Sequence, residues 1–227
     1  MKILALDSSN QALSVALVED DCLQAETLLT IKKNHSISLM PVIDFLMEQV
    51  GWMPKDLDRI IVAQGPGSYT GLRVAVATAK TLAYTLKIEL VGISSLHALV
   101  PPGLPGLVVP LIDARRNHVY AGVYENGRAV EADKYWSFEE LITSLSAREN
   151  LIFVGEVTNF VTQIDEALPA ATCQASFPSA YQIALLGKDL PVVDVMNFEP
   201  NYLKRVEAEE NWLRDNEAGS ESYIKRV

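Results

Sequence analysis

Apolar residues along this chain recur in two rhythms, and their order predicts the elements. Lys2–Asp7, Leu13–Val18 and Leu23–Leu29 are short apolar runs read as strands, with Glu19, Asp20 and Asp21 as a tight connection between the last two. Over Ser36–Val50 the spacing changes. Leu39, Val42, Ile43, Leu46, Met47 and Val50 fall at i, i+3, i+4, i+7, i+8 and i+11, which is one face of a helix. Pro41 lies in that span and is tolerated near a helix start. Arg59–Ala63 predicts a further strand and Leu72–Leu86 a second helix.

The order then repeats. Asp7 corresponds to Asp113 at an offset of 106, and the same offset places Leu13–Val18 on Val119–Tyr124, Glu19 on Glu125 and Leu23–Leu29 on Ala129–Tyr135. Phe138–Leu145 follows as a helix, and Leu151–Val154 as a strand ending in Gly155. Residue identity between the copies is low, so the repeat is one of pattern. Two β-β-β-α-β-α units in tandem predict an α/β chain of duplicated ribonuclease-H-like fold, the two-lobed superfold of actin-like ATPases. The division expected is an N-terminal lobe over 1–100, carrying the two helices, and a C-terminal lobe over 101–227. A turn-rich stretch, Pro101–Gly106, lies between them. Residues 203–227, with six acids, read as a solvated end.

Between the Arg59–Ala63 strand and its helix stands Q-G-P-G-S-Y-T-G-L-R, Gln64–Arg73. Three glycines and a proline in seven residues make a sharp turn, and Ser68 and Thr70 are good N-cap types. Free backbone N–H groups at such a helix start attract anions, phosphate above all. No lysine follows the last glycine and the spacing is not G-x-G-x-x-G, so neither common nucleotide loop is present. The other reading of the block is a strand-to-helix turn whose glycines serve close packing.

Composition narrows the partners. Among 227 residues, 19 are Lys or Arg and 29 are Asp or Glu, a net charge of −10, which works against this chain holding nucleic acid by itself. Cys22 and Cys173 stand 151 positions apart without C-x-x-C spacing and read as cytosolic thiols. The chain enters a strand at once, without a basic leader, and no apolar run approaches a membrane span. A cytoplasmic protein is expected.

The opening K-I-L-A-L-D-S-S (Lys2–Ser9), the G-P-G-S-Y-T-G-L-R block, D-A-R-R (Asp113–Arg116) with Tyr120, and P-N-Y-L-K-R (Pro200–Arg205) occur in that order. They resemble the bacterial tRNA threonylcarbamoyladenosine biosynthesis family TsaB, also called YeaZ, from residue 2 to about 205. The resemblance implies a non-catalytic scaffold and activating subunit. Such a subunit binds a TsaD-type threonylcarbamoyltransferase and works with a TsaE-type ATPase on the adenosine beside the anticodon. It implies that tRNA is met indirectly, through a more basic subunit, and that ATP or ADP is held at the interface with partners rather than as an intrinsic cofactor.

The phosphate and nucleotide candidates are Asp7, Ser8 and Ser9 at the end of the first strand, Gly65, Gly67, Ser68, Thr70 and Gly71 of the glycine block, and Asp113 with Arg115 in the second copy. Hydroxyls and backbone can hold phosphate, Asp can hold hydrated magnesium, and arginine can grip phosphate bidentately. Against this, Asp7 can simply cap its own turn, and Arg115 and Arg116 can pair with surface carboxylates. A stand-alone ATPase or phosphotransferase built on these residues is the rival reading. A peptidase is the weaker one, since H-E-x-x-H and G-x-S-x-G are both lacking. The catalytic TsaD-type relatives bind metal through histidines one helical turn apart. Here His35 is followed four positions later by Leu39, and His97 and His118 carry no motif, so neither a metal site nor a catalytic residue is expected.

The helices carry the stronger signal. Leu72–Leu86 is apolar on nearly its whole circumference, with Arg73 and Lys80 its only charges, and Ser36–Val50 carries Ile37, Met40 and Phe45 off its main stripe. Leaving six or so such side chains in water would forfeit on the order of 10 kcal/mol. A covering partner is therefore expected at Ile37, Met40, Phe45, Arg73, Val74, Ala75, Thr78, Ala79 and Leu82; the C-terminal segment with Trp212 is the alternative cover. The resemblance implies a four-helix bundle with the catalytic paralogue, or a homodimer through the same surface when the chain is alone.

Overall fold

The computed structural model describes residues 1–30 and 35–204, so residues 205–227, including Trp212, lie outside the description. Strands β1 (Lys2–Asp7), β2 (Leu13–Glu19) and β3 (Cys22–Leu29) lead into helix α1 (His35–Val50); β4 (Arg59–Gly65), α2 (Tyr69–Leu86) and β5 (Glu89–Ser94) complete the first unit. The second unit runs β6 (Leu107–Arg115), β7 (His118–Glu125), β8 (Arg128–Ser137), α3 (Phe138–Leu145), β9 (Leu151–Gly155), α4 (Val161–Ala167) and β10 (Thr172–Ala175), and α5 (Ala180–Gly187) follows. The sheets are ordered β3-β2-β1-β4-β5 and β8-β7-β6-β9-β10. Their equivalence establishes the duplicated ribonuclease-H-like architecture, with β1–β4 and β4–β5 parallel in the first sheet and β6–β9 and β9–β10 parallel in the second.

The first sheet is apolar on both faces because both are covered. Leu4, Leu6, Val15, Leu17, Ile60 and Val62 point toward α1 and α2, while Ile3, Ala5, Ala16, Val18, Ile61 and Ala63 point toward α5. A Cβ on Gly187 would lie 2.5 Å from Ile61, so α5 sits closer to the sheet than a side chain there would allow. The two sheets divide at the predicted linker, but the packing does not. Residues from α5 onward return to the first lobe: Val193 N–H donates to the Leu90 carbonyl, Asn201 N–H donates to the Gln64 carbonyl, and Phe198 is buried in the first core. The boundary expected at residue 100 therefore separates sheets, and the C-terminal stretch belongs with the N-terminal lobe.

Helix α2 begins three residues before its predicted start, because Ser68 Oγ accepts the Gly71 N–H at 3.3 Å and caps it. Thr70 lies inside the first turn instead of capping. Among the described residues no helix is long and apolar enough to cross a membrane.

Candidate functional site

A cleft of about 330 Å³ opens between the two units, lined by Ser9, Asn10, Gln11, Gly67 and Ser68 from the first and by Ile112–Arg115, Tyr120 and Glu156 from the second. Its floor is the turn after β1. Asp7 Oδ1 accepts the Ser9 N–H at 2.6 Å, and Asp7 is wholly buried with Oδ2 unpartnered. Burial raises its carboxyl to about 6, opposed by the hydrogen bonds from Ser9. Ser8 Oγ donates to the Gly71 carbonyl at 2.7 Å, and the Ser9 carbonyl accepts the Ser68 N–H at 2.6 Å.

These contacts show what the glycines of the block do for packing. A Cβ on Gly67 would stand 2.2 Å from the Ser9 carbonyl oxygen, and one on Gly71 would stand 2.0 Å from that of Ser8. Gly65, whose peptide to Pro66 is cis, would place a Cβ 2.5 Å from the Asn201 carbonyl. The glycines let three backbone segments close on one another, and the Ser68 and Gly71 N–H groups are spent inside that contact. Ser9, Gly67, Ser68, Asp113 and Arg115 do face the cleft. Asp7, Ser8, Gly65 and Gly71 lie buried behind it, and Thr70 is exposed on α2 away from the lining.

Across the cleft, Arg115 Nη1 donates to Asp113 Oδ2 at 3.2 Å, and Asn159 Nδ2 shares that oxygen at 3.2 Å. The arginine is thus committed to a neighbouring carboxylate. Glu156 joins the lobes: Oε1 accepts the Gln11 N–H at 3.3 Å and Oε2 accepts the Asp113 N–H at 2.8 Å, while burial raises its carboxyl above the ordinary range. Sequence reasoning missed Asn10 and Glu156. The signal for Glu156 is its place directly after Gly155, where the first copy has Pro66 after Gly65. Asn10 follows the Asp7–Ser9 turn, with Oδ1 accepting the Ala12 N–H and Nδ2 buried without a partner.

On the outer side of α1, Ile37 is 67% exposed, Phe45 56% and Met40 47%. Val74, Thr78 and Leu82 of α2 are half-buried beside them, and Arg73 is exposed. Ala75 and Ala79 are corrected. Both are fully buried against the chain's own first sheet, in the stripe with Leu72, Val76 and Ala83, because the 3.6-residue period turns those positions inward. His35, His97 and His118 lie on separate elements, α1, the turn after β5, and β7.

Residues 26–212 match the family model described as TsaD, tRNA N6-adenosine threonylcarbamoyltransferase. The chain is 37% identical, over 94% of its length and 98% of the relative's, to the tRNA threonylcarbamoyladenosine biosynthesis protein TsaB of Bacillus subtilis. It is 28% identical to the Haemophilus influenzae TsaB, over 86% of this chain and 82% of that protein. Among solved structures, YeaZ from Pseudomonas aeruginosa superposes with a TM-score of 0.74 at 27% identity, covering 89% of this chain and 99% of its own. A second Pseudomonas aeruginosa structure, of a protein described as similar to peptidase YeaZ, gives 0.76 at 26%, with the same coverage of both chains. Matched over most of its length by these relatives, and sharing a fold with the YeaZ structures, the chain belongs to the TsaB (YeaZ) family.

Proposed function

We propose that this chain is a non-catalytic subunit of the machinery that makes threonylcarbamoyladenosine in tRNA, binding a TsaD-type threonylcarbamoyltransferase through the outer face of α1 and α2. The observation that carries this reading is the exposed apolar row Ile37, Met40 and Phe45 of α1, continued by half-buried Val74, Thr78 and Leu82 of α2. Nothing else in the described chain covers that row, and burying it against a second helix pair would recover several kcal/mol. The names of its relatives supply the pathway. The enclosure of Asp7 supports the absence of a magnesium–phosphate centre in the chain itself, since a carboxylate at 0% exposure does not reach a hydrated cation. A TsaE-type ATPase and its ATP or ADP belong, in this reading, at the joint surface with the partner. The same face closes a homodimer when the partner is missing.

The test is threonylcarbamoyl transfer to tRNA by a purified TsaD-type enzyme and its ATPase partner, with the adenylate supplied, with and without this chain. Transfer that depends on the wild-type chain, and is lost with Ile37→Glu/Phe45→Glu at unchanged melting temperature, is the expected outcome. Full transfer without the chain, or with the doubly substituted one, would defeat the proposal.

A further inference from the structure

The two units meet along two sides. On the side of the connection after β5, Ser94 Oγ donates to one oxygen of the Asp133 carboxylate, and the Tyr124 hydroxyl donates to the other at 2.7 Å. A Cβ on Gly122 would stand 2.5 Å from Asp133 Oδ1, so that carboxylate lies over β7 in space that glycine leaves free. Leu96 and Leu99 of the connection are buried with Val108, Ile112, Tyr124 and Val154. This packed side is a natural hinge.

On the cleft side Glu156 makes the crossing. Its backbone is fixed: it follows Gly155 at φ +90°, and its own N–H donates to the Leu111 carbonyl at 2.9 Å. Its carboxylate accepts the Asp113 N–H of its own lobe at 2.8 Å and the Gln11 N–H of the other at 3.3 Å. The bond between lobes is the longer one. The turn it holds is also the least satisfied. Among the described residues, the buried side-chain atoms without a hydrogen-bond partner are Asp7 Oδ2, Ser9 Oγ and Asn10 Nδ2, all directly before Gln11. Ser9 and Asn10 line the cleft at 0% and 8% exposure, so parting the lobes is the movement that brings water to them.

We propose that the Glu156–Gln11 contact is the clasp of a two-state cleft. With the contact made, the lobes hold the closed arrangement; with it broken, they swing about the Ser94–Asp133 side, and water satisfies Ser9 Oγ and Asn10 Nδ2. A bridging hydrogen bond favours closure, and the hydration of buried polar atoms that lack partners favours opening. Drives of similar size and opposite sign make such a cleft bistable, and the hinge lets the movement leave each sheet intact. Glu156 and Gln11 lie outside α1 and α2, so the clasp stands apart from the face assigned above to a partner.

The test measures the distance between lobes in the full chain by double electron–electron resonance. One nitroxide is placed on Cys22, exposed on β3, and the other through Thr172→Cys at an exposed position of β10, with Cys173→Ser so that no other thiol reacts. Labelled chain is diluted with excess unlabelled chain, which removes distances between copies. Expected is one distance in this background and a second, distinct one that dominates in Glu156→Ala and in Glu156→Gln. Alanine removes both acceptors; the amide keeps its oxygen for the Asp113 N–H and turns its –NH₂ on Gln11. In the same variants the Gln11 amide loses roughly three- to tenfold of its hydrogen-exchange protection, the worth of one hydrogen bond. Asn159→Ala, which removes a contact to Asp113 within the second lobe, leaves both readouts unchanged. If Glu156→Ala does not melt cooperatively, Glu156→Gln, which keeps the side chain's size, decides. An unchanged distance in the folded Glu156 variants overturns the proposal, and so does the same shift in Asn159→Ala.

Discussion

Gly71→Ala separates packing from helix propensity by sign. Gly71 lies in the first turn of α2, where alanine is intrinsically better by up to about 1 kcal/mol, so a purely local view predicts a more stable protein. The new Cβ would lie 2.0 Å from the Ser8 carbonyl oxygen, where real Cβ atoms keep at least 3.0 Å. An ångström of backbone movement is therefore required in a turn that cannot move cheaply. Ser8 Oγ bonds the Gly71 carbonyl, Ser9 N–H bonds Asp7 Oδ1, and the Ser9 carbonyl accepts from Ser68, all of them buried or at the capped helix end. Overpacking costs about 1–3 kcal/mol, and loosening two of those bonds about 1 kcal/mol each. Less the propensity gain, the net is a loss of about 2–4 kcal/mol, or a fall of roughly 5–15 °C in Tm for a chain of this size. Urea denaturation and differential scanning calorimetry check this. Ala77→Gly, at an exposed position of the same helix, supplies the propensity scale without packing. A Gly71→Ala protein that melts at or above the wild-type temperature would refute the packing account and reopen the phosphate-loop reading of the block.

Asp7→Asn should stabilise the protein near neutrality and leave it unchanged near pH 4. Burial pushes the folded carboxyl up to about 6, above the ordinary 3.8 of an aspartate, so the folded state binds the proton more tightly; its contribution is fully present below about 4 and is lost as pH rises through 6. The gain at pH 7.5 should be on the order of 2 kcal/mol, read as a shift in urea midpoint; an equal shift at both pH values would contradict it. Ala79→Arg should abolish folding instead of pairing alone, because the position is buried in the first core; a soluble, cooperatively melting variant would show otherwise. Glu156→Gln should cost about 1–3 kcal/mol, since an amide –NH₂ replaces one of two acceptors facing the Gln11 and Asp113 N–H groups, measurable as a lower midpoint in urea.

The order and type of the elements, and the correspondence of Asp7 with Asp113, were legible in the sequence because they rest on local periodicity. Strands buried on both faces read as continuous apolar runs, and α1 as a 3.6-residue stripe. The offset of 106 holds through β8 and then breaks, because α3 has 8 residues where α1 has 16. Strands β5 and β10 and helices α4 and α5 were not read; α4 and β10, 7 and 4 residues long, have little periodicity to carry a signal. For the candidate site, residue types were readable and access was not. Ser68 and Asp113 are open to the cleft, while Ser9 lines it fully buried and Asp7 and Ser8 lie behind it, since accessibility is set by distant segments such as Gly71, 63 positions from Ser8.

The sequence by itself therefore determined the duplicated α/β plan, the family, and the presence of an apolar surplus on two helices. Tertiary structure alone decided that α5 and the Phe198–Tyr202 segment return to the first lobe, that the glycines of the block make room for Ser8, Ser9 and Asn201, and that Ala75 and Ala79 face inward while Ile37 and Phe45 face out. The physical reason is one of range. Hydrogen-bond periodicity and side-chain alternation act over a few residues and are written locally, whereas close approach, burial and the neutralisation of a charge depend on which distant segments meet.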